Sequence, residues 1–215
     1  MRIILASKSP RRFELLSMTG LPFEVITSHV DEDAVEASVL SAYNEEYIHQ
    51  NMYAIAEKVA LAQSLKKAEA VLESVSKEAD PSEEIIVIGS DTVVVTEDEI
   101  LGKPEDEKDA RRMLTKLSGH THRVYTGVAI LKKSAGEDTQ SRCFSAFADV
   151  KFHDLDELQE KEIERYILTC SPMDKAGAYG IQDKGALLID SLSGDYYAVV
   201  GLPVSRVNRE LLSLL

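Results

Sequence analysis

Residues 85–95 (IIVIGSDTVVV) are the strongest strand signal in the chain, and Gly89-Ser90-Asp91 interrupts them. Isoleucine and valine suit a pleated, buried surface, whereas aspartate is depleted from strands. A carboxylate inside a fully apolar run is costly unless it is paired or metal-bound. Asp91 is therefore expected to point into a pocket from a strand end or a bulge. A nearby lysine or a metal ion would keep it ionised there. Such a carboxylate can ligate Mg²⁺ or Mn²⁺, or take a proton from an attacking water. The plain alternative is a structural aspartate bonded to backbone amides.

A second chemical signal lies at 5–12 (LASKSPRR). Ile3, Ile4 and Leu5 read as a buried strand, and two serines and a proline make a turn. Pro10 suits the first position of a helix, where its missing N–H costs nothing. Ser9 is placed to cap that helix, and Phe13, Leu15, Leu16 and Met18 supply its apolar side. Strand, turn and helix start carrying Arg11 and Arg12 make a seat for an anion such as phosphate. The same residues also describe a capped helix with two solvated arginines.

The rest of the chain alternates strand-like with helical stretches, which argues for an α/β protein. Phe23–Thr27 reads as a strand that runs into an acidic loop at 28–33 containing Glu32. One long helix is expected over 44–74, with Ile48, Met52, Ile55, Val59 and Ala62 as its buried stripe and Lys58 on the shoulder. Residues 74–84 form a polar connection. A helix over 106–117 precedes a hairpin of strands 122–133 and 140–152. A helix over 155–169, a Gly-rich tract at 176–180, a short strand near 186–190 and a helix from Pro203 complete the reading.

With 44% hydrophobic and 28% charged residues, the 215-residue chain reads as a soluble globular protein. No apolar run approaches the roughly 20 residues of a membrane span, and the strand at the N-terminus leaves no room for a signal peptide. Cys143 and Cys170 lack metal-ligand spacing and read as reduced, buried thiols of a cytoplasmic protein. The net charge of −13 argues against polynucleotide binding. Any phosphate site must then be a local cationic pocket, with a metal ion as a natural helper. Glu32, beside Asp31 and Asp33, could share a hard cation, or belong to a solvated acidic loop. Lys58 and Lys103, the latter in a tight LGKP turn, could neutralise phosphate or sit at the surface. His120-x-His122 lacks a further evident zinc ligand. Gln182, after the small-residue tract, offers donors and acceptors to a base edge.

Eight blocks in order resemble the Maf family of nucleoside triphosphate pyrophosphatases, also known as septum-formation proteins. They are ASKSPRRFELL (6–16), VDE (30–32), AEKVA (56–60), IGSDTVV (88–94), LGKP (101–104), LSGHTHRVYTGVAI (117–130), MDKAGAYGIQ (173–182) and GDYYAVVGLP (194–203). The resemblance implies an elongated mixed β-sheet flanked by helices, akin to other house-cleaning nucleotide pyrophosphatases such as ITPase-like proteins. One domain, 1–215, would form two lobes around a central cleft. It implies cleavage of a nucleoside triphosphate between the α- and β-phosphates, assisted by a divalent metal (Mg²⁺ or Mn²⁺). Arg11 and Arg12 would hold phosphates with the Ser7–Ser9 turn. Lys58 and Lys103 would add charge at the scissile group. Glu32 and Asp91 would handle metal and water, with Asp91 the proton acceptor, and Gln182 would lie near the base. The DKAGAYGIQ version resembles the branch acting on dTTP and UTP.

Three departures stand out: Asp183-Lys184 where a glycine is more usual, Ser90 in place of a common alanine, and extra length between about 63 and 84. The first two could tune substrate preference. A nucleotide-binding regulator of cell division with little turnover is the alternative function. Family members are often homodimers, which leaves a homodimer open for this chain.

Overall fold

The structure is a computed structural model that describes residues 1–215. In chain order it runs β1 (Arg2–Leu5), α1 (Pro10–Ser17), β2 (Glu24–Val25), α2 (Glu32–Leu40), α3 (Glu45–Gln50), α4 (Met52–Ser76), β3 (Ile85–Val95), β4 (Ile100–Leu101) and α5 (Glu107–Leu117). It continues with β5 (Thr121–Lys133), β6 (Gln140–Phe152), α6 (Glu157–Ile167), three short 3₁₀ turns between Ser171 and Leu188, β7 (Ile189–Gly194), α7 (Tyr196–Val200) and α8 (Val204–Leu212). The strands form one mixed sheet in the order β2-β1-β3-β5-β6-β7, with β4 paired to β3. β1 is parallel to β2 and β3, and the remaining pairings are antiparallel. This is the expected α/β architecture, a mixed open sheet flanked by helices. No helix is long and apolar enough to cross a membrane.

β3 organises both layers because its side chains alternate between faces. Ile85 and Val87 on one face pack with Val71, Leu72 and Val75 of α4, while Val93 and Val95 join Ile55, Ala56 and Val59. On the other face Ile86 and Ile88 join α1 and α8, while Val94 joins α5 and α6. Between these clusters lie Gly89 and Asp91 on the α4 face, and Ser90 and Thr92 on the opposite one. The middle of the strand is thus polar on both sides.

The strand is also unpaired there along one edge. β1 pairs with β3 only as far as Ile88, and β4 joins only at Val94. Between these residues β3 has a ladder partner on the β5 side alone, where Asp91 faces Gly127. The expected strand end or bulge at Asp91 is not found, since pairing with β5 is continuous from Ile85 to Val95. The missing neighbour strand opens the space instead.

Several expectations change. The helix over 44–74 is two helices, broken at Asn51, whose backbone leaves helical geometry (φ −127°, ψ 29°). The acidic stretch at 28–33 ends inside α2, capped by the Asp31 side chain on the Ala34 amide at 3.0 Å. Phe13 and Met18 are exposed, so Leu15 and Leu16 alone carry the buried side of α1. Both cysteines are free but exposed rather than buried. Cys143 lies on the outward row of β6, and Cys170 sits just beyond α6 with φ 57°.

α4 lies unusually close to the sheet. A Cβ on Gly89 would fall 2.1 Å from the Ser64 carbonyl oxygen, and one on Gly127 would fall 2.4 Å from that of Ala60. Both obstacles are helix backbone and cannot rotate aside. Gly89→Ala should therefore cost about 3 kcal/mol, the upper range for overpacking a core. The expected reading is a lowered urea midpoint with unchanged slope; an unshifted midpoint would contradict the contact.

Candidate active site

The close seat of α4 brings Lys67 over the middle of β3. Its side chain is buried, and its Nζ donates to Glu32 Oε1 at 2.6 Å and to Asp91 Oδ1. Lys103 Nζ, from the loop after β4, donates to the other Glu32 oxygen at 2.8 Å. Glu32 opens α2, and Gln63 of α4 donates to its backbone carbonyl at 3.0 Å. Four segments far apart in sequence thus converge on one ion cluster at the sheet opening.

Burial would raise the Glu32 pKa, but hydrogen bonds from Lys103 and Lys67, with their charges, overcome it and hold the carboxyl at about 2. The acid is ionised at any ordinary pH. Glu36 lies one turn further along α2, and its carboxyl is shifted upward by burial, then by Asp33 and Asp91.

Arg12 comes to the same opening from the other side of β3. Its Nε donates to the Gly201 carbonyl at 2.9 Å, Nη2 to Thr92 Oγ1 at 3.1 Å and Nη1 to Ser7 Oγ at 3.4 Å. Burial lowers its pKa, Asp91 and Glu32 raise it, and Arg11 lowers it. Arg12 therefore lies within electrostatic reach of both acids. Ser7 Oγ also accepts from the Ser9 amide at 3.2 Å, while Ser9 caps α1 through the Arg12 amide at 3.5 Å. Arg11 is half-buried on the first turn of α1.

Lys58, expected beside the scissile group, does not join the cluster. It lies on the exposed face of α4, and its Nζ donates to the Tyr43 hydroxyl at 2.6 Å. Nine residues of helix put it roughly 13 Å along the axis from Lys67. The apolar stripe from Ile48 to Ala62 stops short of Lys67. Traced backward from Val75 and Val71, the helical period places Lys67 on the buried face.

Gln182 is exposed in the turn after the small-residue tract, outside the ion cluster. The neighbouring Asp183 is not a loose charge beside a base site. It accepts from the Tyr166 hydroxyl at 2.9 Å, Ser171 Oγ at 2.6 Å and the Gly185 amide at 2.9 Å. The two histidines also diverge. His122 is buried against the Tyr179 hydroxyl at 2.8 Å, and burial takes it to about 3. His120 is partnered instead with the Ser118 carbonyl.

Two acids and three cations gathered where a mixed sheet opens define an α/β protein equipped for a polyanionic ligand. The chain belongs to the Maf family: the family model described as Maf-like protein matches residues 2–214. It is 44% identical over 210 residues to the dTTP/UTP pyrophosphatase of Bacillus thuringiensis subsp. konkukian, a match covering 98% of this chain and 94% of the relative. The dTTP/UTP pyrophosphatase of Bacillus cytotoxicus is likewise 44% identical, with the same coverage of both chains.

The Glu32 pairing predicts a pH signature. Its folded pKa is depressed, so its stabilisation is fully present above the ordinary carboxylate range and is lost as pH falls through about 2. Urea midpoints of the parent and Glu32→Gln should therefore differ most above pH ~5 and converge toward pH ~2. A pH-independent difference would refute the pairing.

Proposed function

We propose that this chain hydrolyses dTTP and UTP to the monophosphate and pyrophosphate, with attack at the opening beside the central strand. The observation that carries the reading is the Glu32–Lys67–Asp91 cluster with Lys103 on one side and Arg12 on the other. The names of the relatives support the substrate pair. Attack on a polyanion needs cations to offset phosphate charge and a carboxylate to orient water.

In this reading Asp91 accepts the proton of the attacking water, and Lys67 is paired with it in a buried setting. Arg12 binds phosphate oxygens with the Ser7–Ser9 turn, and Arg11 adds charge at the entrance. Lys103, half-exposed on a mobile stem, can leave Glu32 for the substrate. Gln182 reads the base from its exposed turn.

Glu32 and Asp91 also fit a divalent cation. Both send an oxygen to one ammonium, so two hard ligands already share a single positive centre. Mg²⁺ is commonly bound by one or two carboxylates together with substrate phosphates. When bound, it would neutralise charge on the phosphate chain.

The polar belt between the apolar clusters supports one domain with two lobes around a cleft. Two exposed free thiols, Cys143 and Cys170, support a cytoplasmic protein.

Pyrophosphate release from dTTP, with and without Mg²⁺, tests the activity. Asp91→Asn should lower kcat about a hundredfold or more while the circular dichroism spectrum is retained; full turnover would remove Asp91 from the reaction. Lys67→Ala should lose activity on the same scale and Lys58→Ala should stay within about twofold. The opposite ranking would restore Lys58 to the site.

A further inference from the structure

The block 194–203 contributes no charged group to the ion cluster, yet its backbone is tied to Arg12. α7 is short, and the last carbonyls of a helix have no partners within it. Two carbonyls here are answered from the sheet. That of Gly201, at φ +120°, accepts from Arg12 Nε at 2.9 Å and lies 3.0 Å from Ser90 Oγ, whose single proton it shares with the Gly127 carbonyl at 3.1 Å. That of Ala198 accepts from Thr126 Oγ1 at 2.6 Å.

The direction of the remaining bonds follows from proton counting, because a hydroxyl has one proton to give. Thr126 donates to Ala198, so across its 2.8 Å contact with Thr92 it must accept. Thr92 therefore donates to Thr126 and accepts from Arg12 Nη2. The relay runs one way, from Arg12 through Thr92 and Thr126 to Ala198. Thr92 and Thr126 sit opposite each other in the β3–β5 ladder, and Thr126 and Ser90 are fully buried. Three of the five guanidinium N–H groups are used within the protein, counting the bond to Ser7. The others are free for an anion.

We propose that Thr126, with Thr92 and Ser90, positions Arg12 for the triphosphate by anchoring its guanidinium to the C-terminal carbonyls of α7. Thr126 touches no substrate and acts only through Arg12. Ser90, between the Gly201 and Gly127 carbonyls, adds a second, shared hold on the Gly201 carbonyl. This inference rests on reading Arg12 as a phosphate-binding residue.

The test is a double-mutant cycle read by calorimetric binding of inorganic tripolyphosphate and by dTTP kinetics. Thr126→Val keeps the shape and removes the hydroxyl. It should weaken tripolyphosphate binding and raise KM about tenfold, leave kcat within twofold, and be rescued by Thr126→Ser. In an Arg12→Ala background the same change should have no further effect on binding, because coupled residues are non-additive. Thr92→Val runs the same cycle should Thr126→Val fail to fold. Unchanged binding by the single variant, failed rescue by serine, or an equal loss with and without Arg12 would each overturn the relay. Absence of tripolyphosphate binding by the parent would instead overturn the phosphate site itself, and the relay with it.

Discussion

Everything in this molecule accommodates one ammonium group between two carboxylates. Glu32 and Asp91 converge on Lys67 in a largely buried setting, where like charges repel strongly and removing a cation leaves an uncompensated ion. Reaching that position from a helix requires backbone to lie nearly on backbone. At Gly89 and Gly127 the α4 backbone leaves no room for even a Cβ. The ion cluster and the helix–sheet packing are therefore one constraint seen at two scales.

The central strand separates two kinds of polar work. On its α4 face Asp91 is held among charges, where electrostatics dominate. On the opposite face Ser90 and Thr92 are held among hydroxyls and carbonyls, which set direction more than charge. Arg12 joins the two, since its hydrogen bonds belong to the second face and its charge is felt by the acids of the first. Apolar clusters at both ends of the strand insulate this middle from the remainder of the core.

Much of this was legible in the sequence where a single residue violates its surroundings. Asp91 in an apolar strand, Ser9 before Pro10 and the β5–β6 hairpin all follow from local rules that the structure obeys. Lys67 was hidden because its meaning depends on which face of a long helix is covered. The break at Asn51 was also hidden, as its side chain bonds the Tyr47 carbonyl at 2.9 Å and leaves no pattern in the apolar residues around it. The partners of Arg12 include the Gly201 backbone carbonyl, which no residue type announces. Asp183 and Ser90 looked like charge and polarity offered to a ligand, and both prove to be bonded within the fold.

The two acids differ in how stiffly they are mounted. Asp91 sits mid-ladder in a strand whose residues are buried except at Thr92, so displacing it means distorting the sheet. Glu32 rides on α2, none of whose residues is fully buried, and the start of that helix is tethered by Gln63, Lys67 and Lys103. Elements with little buried apolar contact open at low free-energy cost. The pair thus behaves as a fixed jaw and a compliant one, and any adjustment to the size of what lies between them falls on the helix rather than on the strand.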